Sequence, residues 1–493
     1  MQQKKGIIRY SEMAESLKEK TAKGLFWGGV SNGIQQVLNL VFGIFLARLL
    51  SQSDYGMVGM LTVFSALAGS LQEGGFTSAL IRKKEVSHKD YNAVFWTIFC
   101  LGATLYAVLF FCAPFIARFY GIPELKPLAR FIFIGLFISG IGIVPSAIVY
   151  RNMMMKQQAI TTFTALGISG IVGIVLAANG FAYWGIAIQT VLFTAIVQSM
   201  KFYYTRWHPT LPVDFSPIKE MIGFSSKLII TNIFNVINGN IFPLLLGKLY
   251  SPHEVGNYTQ ANKWNNMGCS FVTSMVGSVS QPVFSKTDGD PVRQKRVFRK
   301  FLRFTAFISF PAMFGLALVA KEFITILLTE KWLESAQMMQ LLCIGGAFAP
   351  ISGIFSSLII TRGHSATYMW CSIALCLVQL AAAFVAAPYG IHTMITLNVA
   401  ISIGWILVWH HFAFGEVNIH LWEVAKDTAP YFFLSAILIS TAYWLTKSVE
   451  NLYLALVLKI LIVAIPYSLS LWMLNSTIFK EAFNFLIKRK PKI

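Results

Sequence analysis

Acidic residues are scarce in this chain: 21 Asp and Glu among 493 residues, against 40 Lys and Arg. Charged residues of both signs make up only 12%, about half the level of a soluble domain. A soluble fold of this size needs more polar surface than that. Cysteine is also sparse. Cys100, Cys112, Cys269, Cys343, Cys371 and Cys376 all fall inside apolar segments, with neither metal-ligand spacing nor the pattern of an extracellular disulfide framework. They read as small apolar packing residues. There is no phosphate-binding glycine loop with its Lys and no H-E-x-x-H. His410 and His411 are adjacent, so they point to different faces of a helix. An ATP-driven pump would need a nucleotide-binding domain, for which no segment is large enough, and a membrane glycosyltransferase should carry a large catalytic outer loop, whereas the outer loops here are short.

What the chain does have is apolar length. Hydrophobic residues make up 56%, with 41 Phe, 17 Tyr and 12 Trp, a mixture suited to lipid-facing surfaces and headgroup belts. About 20 apolar residues cross the hydrocarbon core. Spans are expected at 24–49, 56–80, 91–117, 125–150, 156–178 and 182–204. A second group follows at 219–246, 253–285, 293–319, 333–360, 364–386 and 390–412, with two more at 427–446 and 452–475. The stretch 24–49 is too long for a signal-peptide core. The expected fold is an all-α integral membrane protein with about 14 transmembrane helices. Its parts are a polar segment 1–23, an N-lobe 24–204, a C-lobe 219–412, a helix pair 427–475 and a basic tail 476–493.

The net charge of +19 is compatible with nucleic-acid binding, but the basic residues cluster between apolar segments, as in cytoplasmic loops facing anionic lipid. With the N-terminus inside, 29 Lys and Arg fall on the inner side, 8 on the outer side and 3 (Lys227, Lys263, Lys459) within spans. That bias predicts cytoplasmic termini.

An internal repeat is legible. LARLLSQSDYG (46–56) and LGKLYSPHEVG (246–256) share Leu46/Leu246, Leu49/Leu249, Ser51/Ser251 and Gly56/Gly256, and keep charge at Arg48/Lys248 and Asp54/Glu254. FIFIG (131–135) and LLCIG (341–345) correspond further along. Two six-helix repeats around a central polar cavity follow, a recurring transporter plan with substrate handled where the repeats meet.

Several polar residues stand where lipid is expected. Glu73 falls in the second span, either facing a cavity or solvated near its end; a membrane carboxylate marks a candidate ion-coupling site. Asn32, Gln35, Gln36 and Asn39 share one face of the first span at helical spacing. The seventh span carries Lys227, Asn232, Asn235, Asn238 and Asn240, and the eighth carries Gln260, Asn262, Lys263, Asn265, Asn266 and Gln281. Such amides line water or a polar substrate, or tie helix to helix. Arg48 joins the candidate cavity residues. Pro114, Pro145, Pro243, Pro282, Pro311, Pro350 and Pro466 interrupt spans as static kinks or hinges.

The stretches GLFWG (24–28), LARLLSQSDYG (46–56), GFTSALIRKK (75–84), FW (95–96), GNY (256–258), QPVFSK (281–286) and EKW (330–332) resemble the polysaccharide transporter family. Its members are Wzx-type lipid-linked oligosaccharide flippases, in the superfamily that also holds multidrug and toxin extruders. The similarity is closest to the branch associated with exopolysaccharide and colanic-acid-like export, and it covers roughly 20–475. The resemblance implies a bacterial inner-membrane flippase that moves undecaprenyl-pyrophosphate-linked sugar repeat units outward for surface polysaccharide biosynthesis. It implies a lipid-linked oligosaccharide and membrane lipid as partners, with polysaccharide polymerase and glycosyltransferases nearby. No cofactor is expected beyond coupling to H+ or Na+ and the membrane potential. The chain departs from the family at GNIFPLLLGKL (239–249), where Phe242 stands in place of an acidic residue often found in relatives. That leaves Glu73 as the main membrane carboxylate. The alternatives are a cation-coupled, multidrug-type antiporter and, less favoured, a membrane glycosyltransferase or ligase.

Overall fold

The computed structural model describes residues 33–480 except 74, 84, 287–289, 475 and 477. The side chains at 78, 82, 219–232, 235, 238, 277–282, 285, 286 and 291 lie outside the description. Among the described residues the regular secondary structure is helical throughout. Among the described residues ten helices are long and apolar enough to cross a membrane, or eleven if the bent pair Leu125–Ile141 and Ile143–Arg151 is one span. The chain is therefore a multi-pass helical membrane protein. It divides into two compact units, residues 1–256 and 257–493.

The first unit contains α1 (Gly33–Leu49), α2 (Gln52–Glu73), α3 (Phe76–Arg82), α4 (His88–Tyr120), α5 (Leu125–Ile141), α6 (Ile143–Arg151), α7 (Met155–Ala178), α8 (Tyr183–Thr205), α9 (Ser216–Leu249) and the start of α10 (Pro252–Lys286). The second span ends earlier than expected. Gly75 takes φ 72°, a left-handed conformation that closes a helix at little steric cost, so α2 stops at Glu73 and α3 is separate. The expected span 125–150 is broken by 44° between α5 and α6. Pro145 sits in the first turn of α6 and has no N–H to offer the carbonyl of Ile141.

Both copies of the repeated motif form the same corner. Ser51 Oγ accepts from the Asp54 backbone N–H at 3.2 Å, and Asp54 Oδ2 accepts from the Ser51 N–H at 2.9 Å. This reciprocal pair opens α2 as a capping box does. At the second corner Ser251 Oγ accepts from the Glu254 N–H at 3.4 Å. A Cβ on Gly56 would overlap the carbonyl of Pro252, and a Cβ on Gly256 would overlap the carbonyl of Gln52. Each corner thus lays its backbone against the other, and only glycine leaves room. The serine and glycine identities seen in sequence are caps and a backbone crossing.

GFTSALIRKK builds a second fixed corner. Arg151 Nη1 donates to the carbonyls of Leu80 (3.1 Å), Ile81 (3.3 Å) and Lys83 (2.6 Å), closing the C-terminal end of α3. Lys83 pairs with Asp90 at 2.8 Å, and Asp90 in turn caps α4 with Ser87. Phe76 and Leu80 then pack with Val94, Phe95 and Ile98 of α4 and with Ala147 and Ile148 of α6.

The second unit holds the rest of α10, then α11 (Pro291–Leu318), α12 (Ala320–Leu328), α13 (Leu333–Thr361), α14 (Ser365–Ala386), α15 (Ile391–Val417), α16 (Leu421–Thr446) and α17 (Leu452–Met473). Helix α11 packs on α13 and α16, α13 on α15, and α14 on α15. The first unit has parallel pairs: α4 on α5, α5 on α8, and α7 on α8. The equivalent motif glycines fall in equivalent contacts. A Cβ on Gly135 would meet Val191 of α8, and one on Gly345 would meet Val399 of α15.

Candidate functional site

Helix α10 concentrates the polar residues and sorts them by face. Asn257, Gln260, Trp264 and Asn265 are buried, at i, i+3, i+7 and i+8. Asn257 Nδ2 donates to Glu334 at 2.7 Å, and its carbonyl accepts from Ser335 Oγ at 2.9 Å. Gln260 is 1% exposed, and neither atom of its amide has a partner among the described residues. The same holds for Trp264 Nε1 and Asn265 Oδ1. On the other face Asn262 and Lys263 are half-buried, while Asn266, Ser270 and Thr273 are exposed. Lys263 Nζ lies 5.8 Å from the Trp264 ring centroid, within cation–π range. A run of amide, ammonium and hydroxyl groups on a helix between apolar spans is suited to hydrogen-bonding a sugar or an anionic headgroup.

The other expected positions fall as follows. In α1, Gln35 and Asn39 are half-buried and Gln36 is exposed; Arg48 is exposed at its end. Asn240 is half-buried and folds its Nδ2 back onto the Val236 carbonyl of its own helix at 2.9 Å. Asn32, and the side chains of Lys227, Asn232 and Asn235, lie outside the described residues. Glu73 is the last residue of α2 and is exposed; the end of a helix is less costly for a carboxylate than mid-bilayer.

Two ionic sites escaped the sequence reading. Glu322, in the first turn of α12, pairs with Lys459 of α17 at 2.7 Å, and both side chains are 8% exposed. Lys459 Nζ also donates to the Leu318 carbonyl at 3.3 Å. The isolated Lys459 within a span was the available signal, since such a cation needs a partner. The second site is Asp427, 2% exposed at its side chain, which accepts from Arg299 Nε at 2.6 Å and Arg303 Nε at 2.6 Å. Glu423 takes Lys295 at 2.7 Å and Arg299 at 3.2 Å. The Glu423/Asp427 spacing of four was its signal.

A family model described as "Polysaccharide biosynthesis protein" matches residues 45–337, more than half of the chain and inclusive of both corners. The chain belongs to this polysaccharide biosynthesis family. Curated relatives named for polysaccharide biosynthesis and transport match most of the chain. The lipopolysaccharide biosynthesis protein WzxC of Escherichia coli is 24% identical over 356 residues, covering 71% of each chain. The succinoglycan biosynthesis transport protein ExoT of Rhizobium meliloti is 23% identical over 380 residues, covering 77% of this chain and 76% of the relative. Among solved structures, the lipid II flippase MurJ in its inward closed conformation superposes with a TM-score of 0.73 at 16% identity, over 91% of this chain and 99% of that one. At that identity the match speaks for the fold. This chain thus shares the helical fold of that structure, and the family match runs through both corners.

Proposed function

We propose that this protein exports undecaprenyl-pyrophosphate-linked oligosaccharide repeat units across the bacterial cytoplasmic membrane by alternating access, for surface polysaccharide biosynthesis. The observation that carries the reading is the polar face of α10, with Lys263 among amides and hydroxyls, in a membrane chain of the polysaccharide biosynthesis family. Asn and Gln both donate to and accept from sugar hydroxyls, and an ammonium suits a diphosphate. The lipid tail stays in the bilayer, so only the head needs a polar path. The naming of relatives for polysaccharide biosynthesis and transport supports this substrate class.

The chain crosses the membrane fourteen times in this reading. Helices α1, α9 and α10 join the eleven apolar crossings, and 24–204 and 219–412 act as two lobes. The parallel packing pairs support that division. Both termini are cytoplasmic, as the 29-to-8 distribution of Lys and Arg supports. Transport is biased by the membrane potential and by H+ or Na+, with Glu73 as the coupling carboxylate. A diphosphate carries about two negative charges, and each gains about 2.3 kcal/mol per 100 mV on leaving an inside-negative cell. Glycosyltransferases act before the flip and the polymerase after it.

Deleting the gene in its native host should abolish the surface polysaccharide and leave lipid-linked repeat units facing the cytoplasm. Normal polysaccharide in the deletion strain, with no second exporter gene, would refute the assignment.

A further inference from the structure

The first half of α11 carries Lys295, Arg296, Arg299, Lys300 and Arg303 along one face, at spacings of one and three. They line a concave pocket of about 350 Å³, closed on one side by the buried Ile478. We propose that this pocket is a binding site for a phosphate-bearing lipid headgroup on the cytoplasmic side of the second unit.

A basic loop alone satisfies the positive-inside bias, but this cluster has more than charge. Asp427 is buried behind it and holds Arg299 through two bonds, Nε at 2.6 Å and Nη2 at 3.1 Å, while Arg303 is held through its Nε at 2.6 Å. The carboxylate fixes one edge of each guanidinium. The terminal nitrogens of Arg303 make no hydrogen bond among the described residues, and its side chain is 41% exposed. Arg296 is exposed and has no hydrogen-bond or ion-pair partner among the described residues. Lys295 is tethered by Glu423 at 2.7 Å and by the Asn418 carbonyl at 2.8 Å. Preset guanidinium forks match the paired oxygens of phosphate better than carboxylate-free lysines do. The volume falls in the range of small-ligand sites. Ile478 supplies an apolar wall beside the first acyl or prenyl carbons.

Two sources offer this chemistry: an anionic phospholipid and the diphosphate of a prenyl-linked substrate. The test uses the full-length protein in phosphatidylcholine nanodiscs and requires no transport, so its failure is separable from failure of the export assignment. Farnesyl diphosphate is titrated as one probe. In the other arm, phosphatidylglycerol is mixed into the discs and its retention is counted by native mass spectrometry. The variant Arg296→Gln/Lys300→Gln leaves every contact of Asp427 in place. It should bind the relevant probe roughly thirtyfold more weakly, the value of two basic residues at a membrane surface. Arg296→Lys/Lys300→Arg should retain binding, which separates charge loss from misfolding. Weakened farnesyl diphosphate binding assigns the site to the diphosphate; loss of phosphatidylglycerol retention assigns it to a membrane phospholipid. Equal binding of both probes by wild type and the glutamine variant overturns the proposal.

Discussion

Removing either half of the Glu322–Lys459 pair leaves the other charge buried in an apolar segment. Breaking such a pair costs about 3–5 kcal/mol, whereas replacing both partners with apolar residues is often neutral. Glu322→Gln and Lys459→Met should each lower the melting temperature of the purified protein sharply, and Glu322→Leu/Lys459→Met should recover most of the loss. Equal stability of single and double variants would show that the pair is not a unit. Lys263 predicts the opposite pattern. It is half-buried, with the Trp264 ring beside it, so Lys263→Ala should leave protein level and melting behaviour near wild type while cutting polysaccharide export at least several-fold. Normal export at native protein level would make Lys263 a packing residue. Neither the pair nor the Asp427 cluster was legible in sequence beyond a hint. Glu322 and Lys459 are 137 residues apart, and periodicity carries no information about which helices meet.

At the scale of elements, the glycine crossing makes the sharpest demand. A methyl group on Gly56 would overlap the Pro252 carbonyl, and one on Gly256 would overlap the carbonyl of Gln52. Backbone atoms cannot move aside as side chains can, so Gly56→Ala and Gly256→Ala should both reduce folded protein in the membrane. Gly315→Ala, with nothing within 4 Å of the added carbon, should be neutral or stabilising by up to about 1 kcal/mol, since alanine is the better helix former. Fluorescence-detected size exclusion of the three variants measures this. The elements themselves were largely legible, because about 20 apolar residues are a strong signal. The failures have local causes. The span expected at 56–80 stops at Glu73 because Gly75 is left-handed. The one at 125–150 bends because Pro145 lacks a donor. The short helix α12 (Ala320–Leu328) lies between the expected spans 293–319 and 333–360 and was not foreseen. Ser51, Asp54 and Gly56 were read as signs of a repeat, and their chemistry turned out to be capping and close approach.

For the whole molecule, the proposed function joins a charge-biased membrane topology to the polar face of α10. The topology makes its own prediction. In a cysteine-free background, Ser53→Cys and Lys89→Cys, both exposed positions, should react with a membrane-impermeant maleimide from opposite sides, Ser53 from outside intact cells. Labelling of both from outside would invert or refold the assignment. The central claim is that the protein itself moves the oligosaccharide-bearing lipid. Its most direct test is reconstitution into liposomes with a fluorescent undecaprenyl-diphosphate-linked oligosaccharide, read by quenching of the outer leaflet. The account predicts protein-dependent movement between leaflets that is faster with an inside-negative potential and lost in Lys263→Ala. Transfer no faster than in protein-free liposomes, with and without the potential, would contradict it.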